Sequence, residues 1–479
     1  MRKESDTIGA LDVPADALYG IHSVRASRNF PDQTRFHLEW YQAVGLVKLA
    51  CYKTVQAYKQ AAAREYPGAV LPGNLPSDEV LEAMCSSAVS VSQGEFYGHF
   101  IVPAMQGGAG TSANMNLNEI IANASIMALG GRPGDYGMVD PFLHANVFQS
   151  TNDVIPTALK LAAIRLLQEL EASINRLRSV VEGLEGQGRS VMRIAYTEMQ
   201  RALPSSYGLL FGAYNEALSR DWWRVSRCYE RLKLVNLGGG AAGTGLAIPR
   251  FYIMEVVGQL QKLTGLPLTR SENLADTTQN LDSLVEVHGM LKALAVNLEK
   301  ISSDIRLLSS DLSLPPELGI PAVQAGSSIM PGKVNPVIPE FVIGLCHKVY
   351  SNDALVSGLS GQGSLDLNPY LPAIGHAFLE SIKLLDGACK SMAEHLFPRL
   401  SLHKGTSLEN LLMSPTLTTA LLPYIGYPDA ARMAAYMRDN GVSILEANEA
   451  MDMLPQEKIK KVLLPENLLK LGYSLKDLE

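Results

Sequence analysis

The sequence predicts a mainly α protein built on a bundle of long helices. Apolar residues recur at spacings of three and four through Ile164, Leu167, Leu170, Ile174, Leu177, Val181 and Leu184, one stripe along one helix. A second run, Leu284, Val287, Leu291, Leu294, Leu298, Ile301, Ile305 and Leu308, keeps a heptad-like alternation over about seven turns. Strand-like runs are few. A bundle this elongated buries only part of its apolar surface alone, so association with further copies is expected.

Taken in order, residues 1–35 read as bends rather than long elements, marked by Val13-Pro14 through Tyr19-Gly20 and by Asn29-Phe30-Pro31. A helix is expected over Glu39–Gln60. Another runs from Ser77 to Val91, capped by Ser77, with Asp78 and Glu79 in its first turn. Gln106-Gly107-Gly108-Ala109-Gly110-Thr111-Ser112 is a glycine-rich turn into a helix that ends near Gly130-Gly131, with Thr111 or Ser112 placed to cap it. A phosphate-binding loop is the competitor here, but the Lys-Ser/Thr ending it needs is absent. Gln149-Ser150-Thr151-Asn152-Asp153 precedes the first striped helix. Further helices are expected over Ser206–Val235, Pro336–Asn352 and Leu371–His395. Beyond Arg399 the character changes: Leu421–Pro428 reads as a loop between short helices. The division expected is an N-terminal domain 1–142, a central helical bundle 143–398 and a small helical domain 399–479.

Bulk properties narrow the function. The chain has 479 residues, of which 47% are hydrophobic, enough for two or three domains and a large core. With 41 basic against 48 acidic residues the net charge is −7, which argues against a nucleic-acid groove but not against a local positive pocket. Neither a signal-peptide core at the N-terminus nor an apolar run of about eighteen residues is seen, so a cytoplasmic protein with no membrane span is expected. Five scattered cysteines without Cys-x-x-Cys spacing read as reduced thiols, and nine dispersed histidines lend no support to a metal site.

The chemistry concentrates in Gly326-Ser327-Ser328-Ile329-Met330-Pro331-Gly332-Lys333-Val334-Asn335-Pro336. Two glycines allow sharp bends, two serines offer hydroxyls and one lysine a fixed charge. Asn335 and Pro336 read as N-cap and first residue of the next helix. This loop, Thr111-Ser112 and Ser150-Thr151-Asn152 share one design, hydroxyls immediately before a helix. Each alone is most often a cap. Together they offer several donors to one dianion, at about 1.5–3 kcal/mol per hydrogen bond to a charged group.

The eleven-residue stretch resembles the signature of the aspartase/fumarase superfamily. Matching blocks at Asp6 to Pro31, Leu237–Leu246 and Lys300–Leu308 extend the resemblance over nearly the whole chain. Within the superfamily, Gln106–Ser112 and Ser150-Thr151-Asn152 look like aspartase, the aspartate ammonia-lyase branch. The resemblance implies a homotetramer with a shared central helical core, a small dicarboxylate or amino-acid substrate, and no cofactor. It implies that Ser327 is the general base. Thr111, Ser150, Thr151 and Ser328 match binders of the carboxylate that becomes an aci-form. Lys333 and Asn335 match binders of the other carboxylate, with Thr197 nearby, and Asn152 matches a residue near the leaving amine. These segments are expected from three different subunits at each site.

Departures from the pattern sit close to this site. In Ala195-Tyr196-Thr197-Glu198-Met199-Gln200-Arg201, Ala195 and Tyr196 replace Gly-Arg, Glu198 replaces Gln/His and Arg201 replaces Asp. Phe148 replaces a serine, Gly240 and Ala247 replace Thr and Asn, and Asp311–Leu314 stands where aspartases carry Gly-Pro-Arg. Glu198 either meets a substrate ammonium, repels a dicarboxylate, shares a proton with the family-matched Glu340, or simply pairs with Arg201 or Arg193. The reading is an ammonia-lyase acting on L-aspartate or a close analogue to give fumarate or its analogue. The alternatives are a fumarate hydratase-like lyase and a non-catalytic scaffold.

Overall fold

The computed structural model describes residues 1–71, 75–312 and 315–478, so Ser313 and Leu314 of the Asp311–Leu314 departure lie outside the described residues. In chain order come β1 (Arg2–Asp6), β2 (Gly9–Val13), α1 (Ile21–Asn29), α2 (Leu38–Glu65), α3 (Asp78–Ser92), α4 (Thr111–Ala128) and α5 (Thr151–Gly188). They are followed by β3 (Met192–Thr197), β4 (Gln200–Ser206), α6 (Tyr207–Leu232), β5 (Leu234–Val235), α7 (Arg250–Thr264), β6 (Thr269–Arg270), α8 (Leu274–Gln279) and α9 (Asp282–Leu308). The remainder is β7 (Leu318–Gly319), α10 (Val337–Ser360), α11 (Leu371–Ser391), β8 (Ser401–Leu402), α12 (Lys404–Leu412), α13 (Leu422–Asn440), α14 (Ile444–Met451) and α15 (Gln456–Val462), with short turns after it. The fold is mainly α, and among the described residues every sheet is two-stranded.

Both apolar stripes are buried, as their spacing requires: Ile164 through Leu184 on α5, and Leu284 through Ile305 on α9, with Leu308 half-buried at the end. Several boundaries differ from expectation for local reasons. Residues 1–35 carry an antiparallel hairpin, Arg2 opposite Val13 through Asp6 opposite Gly9, and the nine-residue α1. Helix α2 continues past Gln60 through Ala61-Ala62-Ala63-Arg64-Glu65, a run of strong helix formers. Helix α6 stops at Leu232, because Leu234 and Val235 are claimed by parallel pairing with Thr269 and Arg270. Helix α10 runs to Ser360, carrying Gly344 and Gly358 within it and meeting no proline after Pro339. Helix α11 ends at Ser391 and leaves through a π turn over Met392–Leu396, before Pro398. The stretch read as a loop, Leu421–Pro428, is a short helical turn from Leu422 that breaks at Gly426 before the main run of α13. Pro423 occupies the first turn, where no N–H is needed, and only Gly426 (φ 74, ψ 169) leaves helical geometry.

The described chain forms two compact units. The first comprises residues 1–170, 224–292 and 348–384. In it α2 packs on α3 and α7, and α3 and α1 pack on α4. Trp40 of α2 is buried, donates its indole N–H to Ile155 O at 3.1 Å and lies against Gly375 of α11, where a Cβ would press into the indole ring. His288 bonds Asp353 Oδ1 through Nδ1 at 3.0 Å and Ser381 Oγ through Nε2 at 2.9 Å. The grouping looks like a hydrolytic triad, but His288 and Ser381 are fully buried, so it serves to join α9, α10 and α11.

The second unit comprises residues 171–223, 293–347 and 385–479. Its core joins the root of the β3–β4 hairpin, Met192 and Ile194, to Leu411, Leu417, Leu421, Met433, Met437 and Ile444. The hairpin therefore stands on the C-terminal helices, and its far end is left to solvent.

Filling the space beside Trp40 is expected to be costly: Gly375→Ala lowers the urea-unfolding free energy by about 1–3 kcal/mol, as overpacking of a tight core does.

Candidate active site

The sequence-derived residues fall into three clusters. The first is the start of α5. Asp153 is fully buried; its Oδ1 accepts the Ser150 N–H at 3.0 Å, and its Oδ2 accepts the N–H groups of Gly238 and Gly240, each at 3.1 Å. Gly240, which replaces the family's threonine, adopts φ 70 there, a left-handed conformation glycine takes without strain. Burial pushes the Asp153 carboxyl up to about 6, against the pull of the three N–H donors. Ser150 Oγ accepts the Asn152 N–H at 3.2 Å. Pro156 has no N–H, which frees the carbonyl of Asn152 four residues earlier; Asn236 Nδ2 takes it at 2.9 Å. Asn152 Nδ2 itself donates to Ala241 O at 2.7 Å, which leaves its Oδ1 as an acceptor.

Thr111 begins α4 in the same unit. The expected hydroxyl cap is not there. Gly110, left-handed at φ 94, takes the N-cap position, and Thr111 is the first helical residue with an exposed side chain. The starts of α4 and α5 are joined by Asn114, whose Nδ2 donates to Thr151 Oγ1 at 3.2 Å. Behind them lies a buried polar network. Lys48, fully buried on α2, donates to Asn118 Oδ1 at 2.6 Å and to Gln149 Oε1 at 2.9 Å. Burial pulls its ammonium down to about 7. Sequence reading passed over these residues. The signal was present: Asn114 and Asn118 are four apart, on one face of a helix that is otherwise largely apolar.

The second cluster is the tip of the β3–β4 hairpin. Thr197 pairs with Gln200, so Glu198 and Met199 form a two-residue turn with φ 53 and φ 62. Two non-glycine residues in this conformation cost about 1–2 kcal/mol each. Thr197 and Glu198 are exposed. The local pairing considered for Glu198 is not made: Arg193 lies 3.8 Å from Glu317, and Arg201 reaches Asn410 Oδ1 at 3.4 Å. Among the described residues Glu198 has no ion pair. Tyr196, in the place of the family's arginine, donates to Glu317 Oε1 at 2.6 Å.

The third cluster is the loop Gly326–Pro336. Ser327 Oγ accepts the N–H groups of Ile329 at 3.2 Å and Met330 at 3.0 Å. Asn335 is not the helix cap. Its Nδ2 donates back to Gly326 O and closes the loop, while Pro336 O accepts the first helical N–H, from Glu340 at 3.0 Å. Helix α10 consequently begins at Val337. Gly326 is required, since a Cβ would collide with the carbonyl of Lys333. Gly332 turns at φ 79. Ser327 and Asn335 are half-buried; Ser328, Lys333 and Glu340 are exposed, and Glu340 lies 3.8 Å from Arg306. The hairpin and the loop share no hydrogen bond or ion pair among the described residues.

Hydroxyls, N–H groups and a lysine placed beside helix N-termini, as in these separate clusters, are chemically suited to hold a small carboxylate. Among the described residues no group of histidine, cysteine and carboxylate side chains is arranged to hold a metal, and no helix is long and apolar enough to cross a membrane. A family model described as Lyase matches residues 9–351, and one described as Fumarase C C-terminus matches residues 417–470. The chain belongs to this lyase family, the aspartase/fumarase superfamily. It is 35% identical to the aspartate ammonia-lyase of Bacillus subtilis, over 100% of this chain and 98% of that protein. It is 37% identical to the aspartate ammonia-lyase of Pseudomonas aeruginosa, over 98% and 97%. Among solved structures, a fumarate lyase:delta crystallin from Brucella melitensis matches with a TM-score of 0.89 at 33% identity, over 97% of this chain and 98% of that one.

Two substitutions test the local geometry. Asn236→Leu strands the free carbonyl of Asn152 and lowers the unfolding free energy by about 1–3 kcal/mol in urea titrations. Met199→Gly relieves the left-handed turn and raises it by about 1 kcal/mol.

Proposed function

We propose that this lyase is a carbon–nitrogen lyase of the ammonia-lyase kind, removing ammonia from L-aspartate or a close analogue to give fumarate or its analogue, with no cofactor. Ser327, as its alkoxide, takes the proton from the carbon beside one carboxylate. The electron pair passes into that carboxylate, which becomes an aci-form held by Thr111, Ser150, Thr151 and Ser328. Collapse forms the carbon–carbon double bond, and the C–N pair leaves with nitrogen as ammonia. Lys333 and Asn335, with Thr197 nearby, hold the second carboxylate. Glu198, with the family-matched Glu340 as a supporting carboxylate, bears on the choice of substrate.

The observation that carries this reading is the environment of Ser327. A serine hydroxyl is a poor base unless its alkoxide is stabilised, and two backbone N–H groups already point at Oγ. The free acceptor of Asn152 supports an amine as leaving group, since an ammonium is a donor only. Relatives named aspartate ammonia-lyase that align over the full length support the same substrate.

A homotetramer, with each site completed by segments from three copies, accompanies this proposal. Apolar residues left at the surface of the long helices support it: Leu209 and Trp223 on α6, Val296 on α9 and Phe341 on α10 are all about half exposed or more. The division proposed is 1–142, 143–398 and 399–479; the C-terminal family match, residues 417–470, falls within the last of these.

Ultraviolet absorbance of fumarate tests the reading. L-Aspartate is expected to release it and L-malate is not, and Ser327→Ala is expected to lower kcat by about 10²–10⁴-fold, the scale of lost general base catalysis. Fumarate from malate alone, or undiminished turnover by Ser327→Ala, overturns the assignment.

A further inference from the structure

The buried network behind Thr151 has a direction. Lys48 carries only donors when charged, so the atom of Asn118 that it meets at 2.6 Å is the amide oxygen. The NH₂ of Asn118 then faces Asn146 Oδ1 at 3.2 Å, with a longer contact to Met115 Sδ at 3.5 Å. Asn146 is fixed a second time from its other end, where its NH₂ meets the backbone carbonyl of Gln149 at 3.0 Å, a group that only accepts. Two independent anchors thus impose one orientation on Asn146, where amide orientation is otherwise ambiguous. Its Oδ1 also receives Asn114 Nδ2 at 3.0 Å, so Asn114 too has its NH₂ on this side. The second hydrogen of that NH₂ goes to Thr151 Oγ1 at 3.2 Å. Asn114 is 1% exposed and Asn118 fully buried, so water does not loosen these two links, while Asn146 between them is partly exposed and is held by its contacts at both ends.

We propose that Lys48, Asn118, Asn146 and Asn114 form an orienting relay that compels Thr151 Oγ1 to accept from inside the protein and hence to present its own O–H outward as a hydrogen-bond donor to a carboxylate. Asn114, Asn118, Asn146 and Lys48 are positioning residues; only Thr151 touches the ligand. A threonine free to rotate offers a carboxylate either a lone pair or a hydrogen. The relay removes the wrong choice before substrate arrives, which is the preorganisation that a developing aci-carboxylate rewards. The inference rests on the reading of Thr151 as a carboxylate ligand, but the polarity of the relay is independent of it.

Two measurements separate these. With L-aspartate as substrate, Asn114→Ala is expected to lower kcat/KM tenfold or more in the wild-type background, and less than twofold further in a Thr151→Val background, because the two residues act as one unit. Effects that multiply independently overturn the relay. The second measurement needs no activity. In Asn114→Asp, a carboxylate would face Asn146 Oδ1, a second acceptor, and ionise reluctantly; Lys48 and Asp153, whose own titrations fall near neutral pH, are present in wild type as well and enter both sides of the comparison. A folded-state pKa raised above the unfolded value of about 3.9 makes stability fall as pH rises through the interval between the two. The urea midpoint of Asn114→Asp, relative to wild type, is therefore expected to drop between pH 5 and pH 8, and a constant difference overturns the relay. If Asn114→Asp gives no folded protein at any pH, the Asn114→Ala cycle decides. If wild-type protein releases no fumarate, L-aspartate fails as the substrate, while the urea titration still bears on the relay.

Discussion

The carboxylate of Asp153 accepts three backbone N–H groups, and much of the first unit is arranged by that fact. One donor is the residue before α5, and the other two belong to the glycine turn at 238–240. A buried carboxylate without such partners is prohibitively expensive, so the chain is pinned wherever the donors are. That pin sets where α5 begins, which hydroxyls stand at its N-terminus, and which way the carbonyl of Asn152 faces. Pro156 completes the arrangement by removing one N–H, and Asn236 fills the resulting vacancy. A helix start is usually described by its cap; here it is described better by what lies behind it.

The three clusters differ in how they are held. The start of α5 is fixed from the protein interior by charge and by buried amides. The Gly326–Pro336 loop is held by its own backbone and by Asn335, with most of its side chains in solvent. The hairpin tip is held only at its root, in the core formed with the C-terminal helices. On the proposed reading, the first cluster offers fixed donors and the other two offer exposed groups to a small acid that must bind and still be exchanged. The departures from the family pattern follow the same gradient. Those in the interior, such as Gly240, are accommodated by backbone geometry, whereas Glu198 stands at an exposed and strained turn.

Periodicity and turn chemistry are local properties, and they were legible. The two apolar stripes, the Ser77 cap and the signature loop could all be read from residue order, because burial of one helix face needs a repeating pattern and a bend needs glycine or proline. The Ser77 side chain does accept the Val80 N–H, at 3.2 Å. Readings that assumed a side-chain cap from residue type fared worse. Thr111 and Asn335 both carry the right groups, yet Gly110 supplies the cap position in one case and Asn335 turns back to Gly326 in the other. Residue type states what a side chain is able to bond, whereas partners distant in sequence decide what it does bond.

By itself, then, the sequence determined a mainly α chain of long amphipathic helices, membership of the lyase family, and the identity of a loop rich in hydroxyls. Those features depend on neighbours within a few turns. Only the tertiary structure decided the direction in which polar groups point. Lys48 and Gln149 are separated by about a hundred residues, and Asn114 and Thr151 by 37. Hydrogen-bond polarity passes from one to the next only after folding has placed them together and excluded water, and no local pattern encodes it.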